Sequence, residues 1–120
     1  MESYKRAVRV GELIQQEISK IVQELKEPGL GFVTVTGAKL TDDLKSARIF
    51  YSVIGSEEEK KRSSEILQDV TPYIRHLLAV RINLRYTPTI EFDYDDTSER
   101  ANLVFEILEK INKEEHDPKQ

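Results

Sequence analysis

Between residues 4 and 26 apolar side chains recur every three or four positions: Val10, Leu13, Ile14, Ile18, Ile21, Val22 and Leu25. Glu12, Gln15, Gln16, Glu17, Ser19, Lys20, Gln23 and Glu24 fill the gaps. A single stripe of this period predicts an amphipathic helix lying on a core. Pro28 predicts its end, because the residue before a proline is pushed out of helical geometry. Gly29 and Gly31 predict a turn. The pattern then changes. Phe32–Leu40 is rich in β-branched residues (Val33, Thr34, Val35, Thr36) and reads as a strand. Thr41-Asp42-Asp43 has turn chemistry. Ala47, Ile49, Tyr51 and Val53 alternate with Arg48, Phe50 and Ser52, so residues 46–54 read as the return strand of a hairpin.

Ser56 and Glu59 have the spacing of a capping box, which predicts a helix from there to about Val70 with Ile66, Leu67 and Val70 inward. Thr71 as N-cap and Pro72 at the first helical position predict a restart. A second helix then runs to about Arg81 with Ile74, Leu77 and Leu78 inward, and Val70-Thr71-Pro72 forms a kink between the two. Ile90, Phe92 and Tyr94 alternate with Glu91 and Asp93, a third strand over 89–94. Asp96 and Glu99 repeat the cap-box spacing ahead of a last helix carrying Leu103, Val104, Ile107, Leu108 and Ile111. Residues 113–120 have no large apolar group beyond this helix and are expected to form a disordered polar tail, leaving a domain over 1–112. The order is helix-strand-strand-helix-kink-helix-strand-helix. Its expected fold class is α+β: a three-stranded mixed sheet with helices packed on one face. Strand two should be antiparallel to strand one and parallel to strand three, through a right-handed crossover.

Composition narrows the chemistry. At 120 residues and 38% hydrophobic, the chain supports one core. It has no cysteine, which excludes disulfides, thiolate metal sites and thiol nucleophiles. Its longest apolar run, Leu77–Val80, is too short to cross a membrane. No apolar stretch follows Lys5, Arg6 and Arg9 as in a signal peptide, so the cytoplasm is the expected location. Net charge is −4, which by itself argues against nucleic acid. Phosphate responds to local charge, however. Residues 1–10 hold three bases and one acid, and residues 71–90 hold Arg75, Arg81 and Arg85 with no acid. Residues 91–120 hold ten acids and four bases. Lys5, Arg6 and Arg9 oppose the dipole of the helix they open, so their charge is better explained by use elsewhere than by helix stability. These six basic residues are the phosphate-contact candidates, since each contact adds salt-dependent affinity. At the kink, Thr71, Tyr73 and the free N–H groups of a helix N-terminus would be aimed at the same ligand.

Enzymatic readings lack their parts. Asp93, Asp95, Asp96 and Glu99 do not follow a calcium-loop pattern and are better read as helix capping by Asp96 with Glu99. His76 has no nucleophile and orienting partner, and no Gly-x-Ser-x-Gly, phosphate-binding or dinucleotide loop is present. Phe50 and Tyr51 suit sheet packing better than a base-stacking platform. No catalytic residue, metal or cofactor is therefore expected.

The element order is that of a type II KH-like domain. Gly31-Phe32-Val33-Thr34-Val35-Thr36, Asp43-Leu44, Ala47-Arg48 and Ser52-Val53-Ile54-Gly55 are similar to the ribosome-binding factor A family. So are Ile74-Arg75, Leu84-Arg85-Tyr86-Thr87-Pro88, Ile90, Phe92, Asp95-Asp96 and Glu99-Arg100, with Arg9-Val10 in the first helix. The resemblance covers roughly residues 6–111. It implies a non-enzymatic assembly factor, acting as a monomer on the small (30S) ribosomal subunit and its 16S rRNA during late maturation and rRNA processing. It also implies support of growth in the cold, alongside small-subunit GTPases. Two departures stand out. Val70-Thr71-Pro72 replaces the family's Ala-x-Gly kink, and Glu27-Pro28-Gly29 replaces its usual Asp-Pro-Arg. A different class of function remains open at this level: a protein-interaction module whose acidic C-terminal helix recruits a basic partner.

Overall fold

The computed structural model describes residues 2–115, with side chains over 4–113. Its elements are α1 (Glu2–Glu24), β1 (Phe32–Leu40), β2 (Ser46–Ile54), α2 (Glu57–Arg81), β3 (Thr89–Tyr94) and α3 (Thr97–Glu115). The sheet order is β1-β2-β3. β1 and β2 are antiparallel, and β2 and β3 parallel, as the hairpin turn and the α2 crossover require. Ala47, Ile49, Tyr51 and Val53 of β2 are buried, and across the parallel ladder Ile90, Phe92 and Tyr94 sit beside the first three of them. Tyr51 packs edge-on against Phe92 and Tyr94, with centroids 6.1 and 5.6 Å apart, so its ring belongs to the core. α1 covers this face of β1 with Ile14, Ile18 and Ile21, all fully buried, while α2 covers β2 and β3 with Leu67, Ile74 and Leu78. Leu13, expected inward, is 44% exposed. One buried polar group joins the layers: the Ser63 hydroxyl accepts from the Gly31 N–H at 3.0 Å, which satisfies it.

Three sequence expectations are corrected. First, α2 is one continuous helix with Pro72 inside it, not two helices meeting at Val70-Thr71-Pro72. Leu67, Ile74 and Leu78 form one buried stripe on both sides of the proline, and packing of that stripe holds the helix through it. Pro72 and Gln68 lie on the solvent side, where water can satisfy the carbonyl that proline leaves without a donor. Thr71 is not an N-cap. Its hydroxyl donates back to the Leu67 carbonyl at 2.6 Å, the mid-helix habit of threonine. The capping box at Ser56 and Glu59 does form.

Second, α3 does not join the helical layer. Every described residue of it is exposed, including Leu103, Val104, Phe105, Ile107, Leu108 and Ile111. It leaves the body as an arm, and the molecule is 68 Å along its longest axis. Its root is clamped: Glu99 accepts from Lys60 of α2 at 2.6 Å and from the Tyr94 hydroxyl. Glu99 is therefore spent on this clamp rather than on a cap box. Asp95, not Asp96, accepts from the Thr97 N–H at 3.0 Å, and Asp96 pairs with Arg100 one turn on. Third, α3 runs through Glu115, so the first residues of the expected tail are helical. The remainder of that tail, 116–120, lies outside the described residues.

Candidate nucleic-acid interface

The basic candidates fall into three groups. Arg6 of α1 and Arg85 of the α2–β3 loop line the same cavity, although 79 positions of sequence separate them. Lys5 and Arg9 stand one turn apart on the exposed side of the same stretch of α1. Among the described residues, none of these four is ion-paired. Arg85 lies over the ring of Tyr86, 5.6 Å from its centroid, and Tyr86 is 66% exposed. Tyr4 is exposed on α1. The face is thus basic and aromatic, a mixture suited to phosphates and unstacked bases.

Arg75 and Arg81 do other work. Arg75 donates from Nε to the Pro88 carbonyl at 3.0 Å and from a terminal nitrogen to the Thr87 carbonyl at 2.8 Å. That fork holds the α2–β3 loop, and with it Arg85 and Tyr86, against α2. Arg81 binds Glu24 of α1 at 2.6 Å. The Arg81 guanidinium holds the Glu24 carboxyl below its ordinary range, so the pair stays ionised and its charge is largely cancelled. The kink residues are not brought to the Arg6–Arg85 cluster. Thr71 bonds its own helix, and the N–H groups after Pro72 are consumed within a continuous helix, so no free helix N-terminus exists there. Tyr73 is exposed on α2. Pro72, Arg75, His76, Ala79 and Thr87 border a shallow groove of about 360 Å³.

Sequence reasoning missed Asp43, Leu44 and Tyr86 as members of this region. Leu44 has φ 62°, a left-handed conformation rare for a branched side chain. A hydrogen-bonded turn imposes it: Leu44 N–H to the Thr41 carbonyl, and the Thr41 hydroxyl and Lys45 N–H to Asp43 Oδ1 at 2.6 and 3.0 Å. Thr41-Asp42-Asp43 signals a turn but not where it points its carboxylate. For Tyr86, an aromatic following Arg85 in a loop was the available signal.

Among the described residues, no three His, Cys, Asp or Glu side chains group as a metal site, and no helix is long and apolar enough to cross a membrane. What fold and face define is a small α+β binding domain: two helices on one side of a mixed sheet, and a basic, aromatic rim at the end where α1 begins. The sequence profile described as ribosome-binding factor A matches residues 6–108. A ribosome-binding factor A of Halothermothrix orenii is 42% identical over 117 residues, 97% of this chain and 96% of that one. The chain belongs to the ribosome-binding factor A family. Its fold is also similar to the crystal structure of ribosome-binding factor A from Thermus thermophilus, with TM-score 0.66 and 19% identity over 73% of this chain and 94% of that one. A homology model of the Thermus thermophilus factor, fitted into a cryo-EM map of a 30S complex, gives TM-score 0.65 and 21% identity over 76% and 97% of the two chains.

Proposed function

We propose that this protein binds the small ribosomal subunit during its late maturation, without catalysing a reaction, and contacts 16S rRNA through Lys5, Arg6, Arg9, Arg85 and Tyr86. The observation that carries the reading is the convergence of Arg6 and Arg85, from segments far apart in sequence, on one basic rim, where neither makes an ion pair among the described residues. Guanidinium groups not tied up in an ion pair retain their capacity for phosphate. Family membership supports the same partner. Arg75 takes part by holding the loop that carries Arg85. Thr71, Tyr73 and Arg81 have a smaller share, since the first and last are engaged within the fold. Participation in rRNA processing, support of growth in the cold, action beside small-subunit GTPases, and a monomeric cytoplasmic state belong to this reading through the family resemblance.

The test is sedimentation of the purified protein with small subunits at two salt concentrations. Arg6→Glu with Arg85→Glu should lower binding at least tenfold and flatten its salt dependence, while circular dichroism and melting stay as in the parent. Undiminished co-sedimentation of that double variant defeats the reading. A second reading is favoured by the bare apolar stripe of α3, flanked by Glu106 and Glu109: this arm docks on a basic protein of the same particle. Truncation after Asp96 separates the two, because it leaves the basic rim intact.

A further inference from the structure

The cavity between Arg6 and Arg85 has a chemistry of its own. It encloses about 220 Å³ between α1, the β1–β2 turn and the α2–β3 loop. Its walls are Val10, Leu40, Leu44, Leu84 and Pro88. Pockets for drug-sized ligands run ~300–1,000 Å³, so this one suits a single planar ring system. At its rim stand Arg6, Arg85, Tyr86 and one acid, Asp43. The turn uses Asp43 Oδ1 twice, from the Thr41 hydroxyl and the Lys45 N–H. Among the described residues Oδ2 has no hydrogen-bond donor. The Thr41 hydroxyl, with the Lys45 N–H behind it, holds this carboxyl below its ordinary range, so it remains an acceptor only. The same turn sets the left-handed Leu44, whose side chain forms part of the wall. Backbone held in so sparsely populated a region is a mark of functional sites.

The geometry points to a base-binding pocket: an unstacked guanine of single-stranded RNA enters between Leu44 and Leu84, gives its N1–H, with N2–H beside it, to the free Oδ2 of Asp43, and leaves its flanking phosphates to Arg6 and Arg85. This deepens the RNA-binding reading and rests on it. The order of charges selects the ligand. An acceptor at an apolar slot and two cations outside it complement a nucleotide whose base edge donates and whose backbone is anionic. A lysine or arginine of a protein partner would meet Asp43 but be repelled by both guanidinium groups. Adenine (N1) and cytosine (N3) present an acceptor where guanine presents N1–H, and uracil sets its N3–H between two carbonyls with nothing in place of guanine's N2–H, so the carboxylate discriminates against all three. Tyr86, exposed beside Arg85, can cover the outer face of the base or stack its neighbour.

The test uses the full chain and three probes: free GMP, a single-stranded RNA heptamer with one central guanine, and the same heptamer with a central adenine. Methyl resonances of Val10, Leu44 and Leu84 should shift with GMP and not with AMP. The guanine heptamer should bind about tenfold tighter than the adenine heptamer, the low end of the range for a specific base contact. It should also bind tighter than GMP, because a chain source adds phosphate contacts; tighter GMP binding would identify a free nucleotide as the ligand and overturn the RNA assignment. Asp43→Asn keeps an oxygen for the turn and turns a donor toward the base, so the guanine preference should vanish while the adenine heptamer binds at least as tightly as before. Leu84→Phe fills the slot from another element and should have the same consequence if the Asn variant fails to fold. Arg6→Glu and Arg85→Glu should weaken both heptamers equally. An unchanged guanine preference in Asp43→Asn and Leu84→Phe, with the arginine variants still losing affinity, overturns the pocket and leaves the RNA reading standing. Equal binding of both heptamers by the parent protein has the same meaning, and no binding of either overturns both.

Discussion

α1 and α3 are built alike and end up differently. Each has apolar residues at helical spacing on one face and charges on the other. α1 buries Ala7, Ile14, Ile18, Ile21 and Val22 against the sheet and α2, whereas no described side chain of α3 is buried. The difference lies in what comes before and after each helix. α1 feeds through a short turn into β1 and is drawn across the inner face of the sheet. α3 follows β3 at the far edge, after α1 and α2 already cover that face. An amphipathic stripe states that a helix has something to bury. It does not state that its own chain supplies the cover.

The contrast between the two helices should be greatest at Ile18. Truncation to alanine in a fully buried site leaves a cavity, and Ile18→Ala should cost about 2–5 kcal/mol in urea denaturation. If that variant melts like the parent, α1 is no more a core helix than α3. A smaller effect of opposite sign is expected in α2, which packs like α1 in spite of its proline. Pro72→Ala restores an intrahelical donor and a good helix former, offset by greater unfolded-chain freedom. A gain of about 1–2 kcal/mol should result, because interior proline carries a helix cost of ~3 kcal/mol. A loss would mean that the break, rather than the packing, is what α2 needs.

Much of this was legible beforehand, and the parts that were not have a common cause. The β1–β2 hairpin, the parallel β3, the Ser56 capping box and the inward faces of β2 follow from periods of two and from local turn chemistry. Local rules misled where tertiary contacts outvoted them. Thr71-Pro72 looks like a helix start, but Leu67 and Ile74 on either side are bound to one core and keep the helix whole. Asp96 and Glu99 have cap spacing, but Lys60 and Tyr94 claim Glu99. Among the site residues, the basic windows did contain Arg6 and Arg85. Nothing in sequence separated them from Arg81, whose charge is matched by Glu24 across 57 positions. Nor did it give Asp43 a direction, which depends on the left-handed Leu44.

On α3 itself, Leu103→Ser with Ile107→Ser should change the stability of the body by less than about 0.5 kcal/mol, as for surface substitutions without a partner. Both side chains are half exposed or more, so there is little burial to lose. A cost approaching that of Ile18→Ala would show that the arm folds back onto the domain in solution, and the contrast with α1 would dissolve.

The finest distinction is at the root of the arm. Glu99 accepts from Lys60 and from the Tyr94 hydroxyl, and these contacts, Lys60 first, hold its carboxyl below the ordinary value. The sign follows from linkage. A carboxylate with a lowered value in the folded protein adds stability that is fully present above its unfolded value and drains away as pH falls through the folded one. Because the group is exposed and screened, the body should not notice: its melting temperature should stay level across that window apart from the loss shared by all carboxylates. The local signature should be plain. Amide resonances of Thr97–Arg100 and the Lys60 side chain should titrate with a midpoint below 4.5, the ordinary glutamate value, as the clamp releases α3. Glu99→Gln should abolish that step while leaving the Ile18 side of the molecule unaffected, since the amide is neutral at every pH. A midpoint at or above 4.5 would mean that Glu99 is unclamped and that α3 hangs from the chain at Asp95 and Asp96 alone.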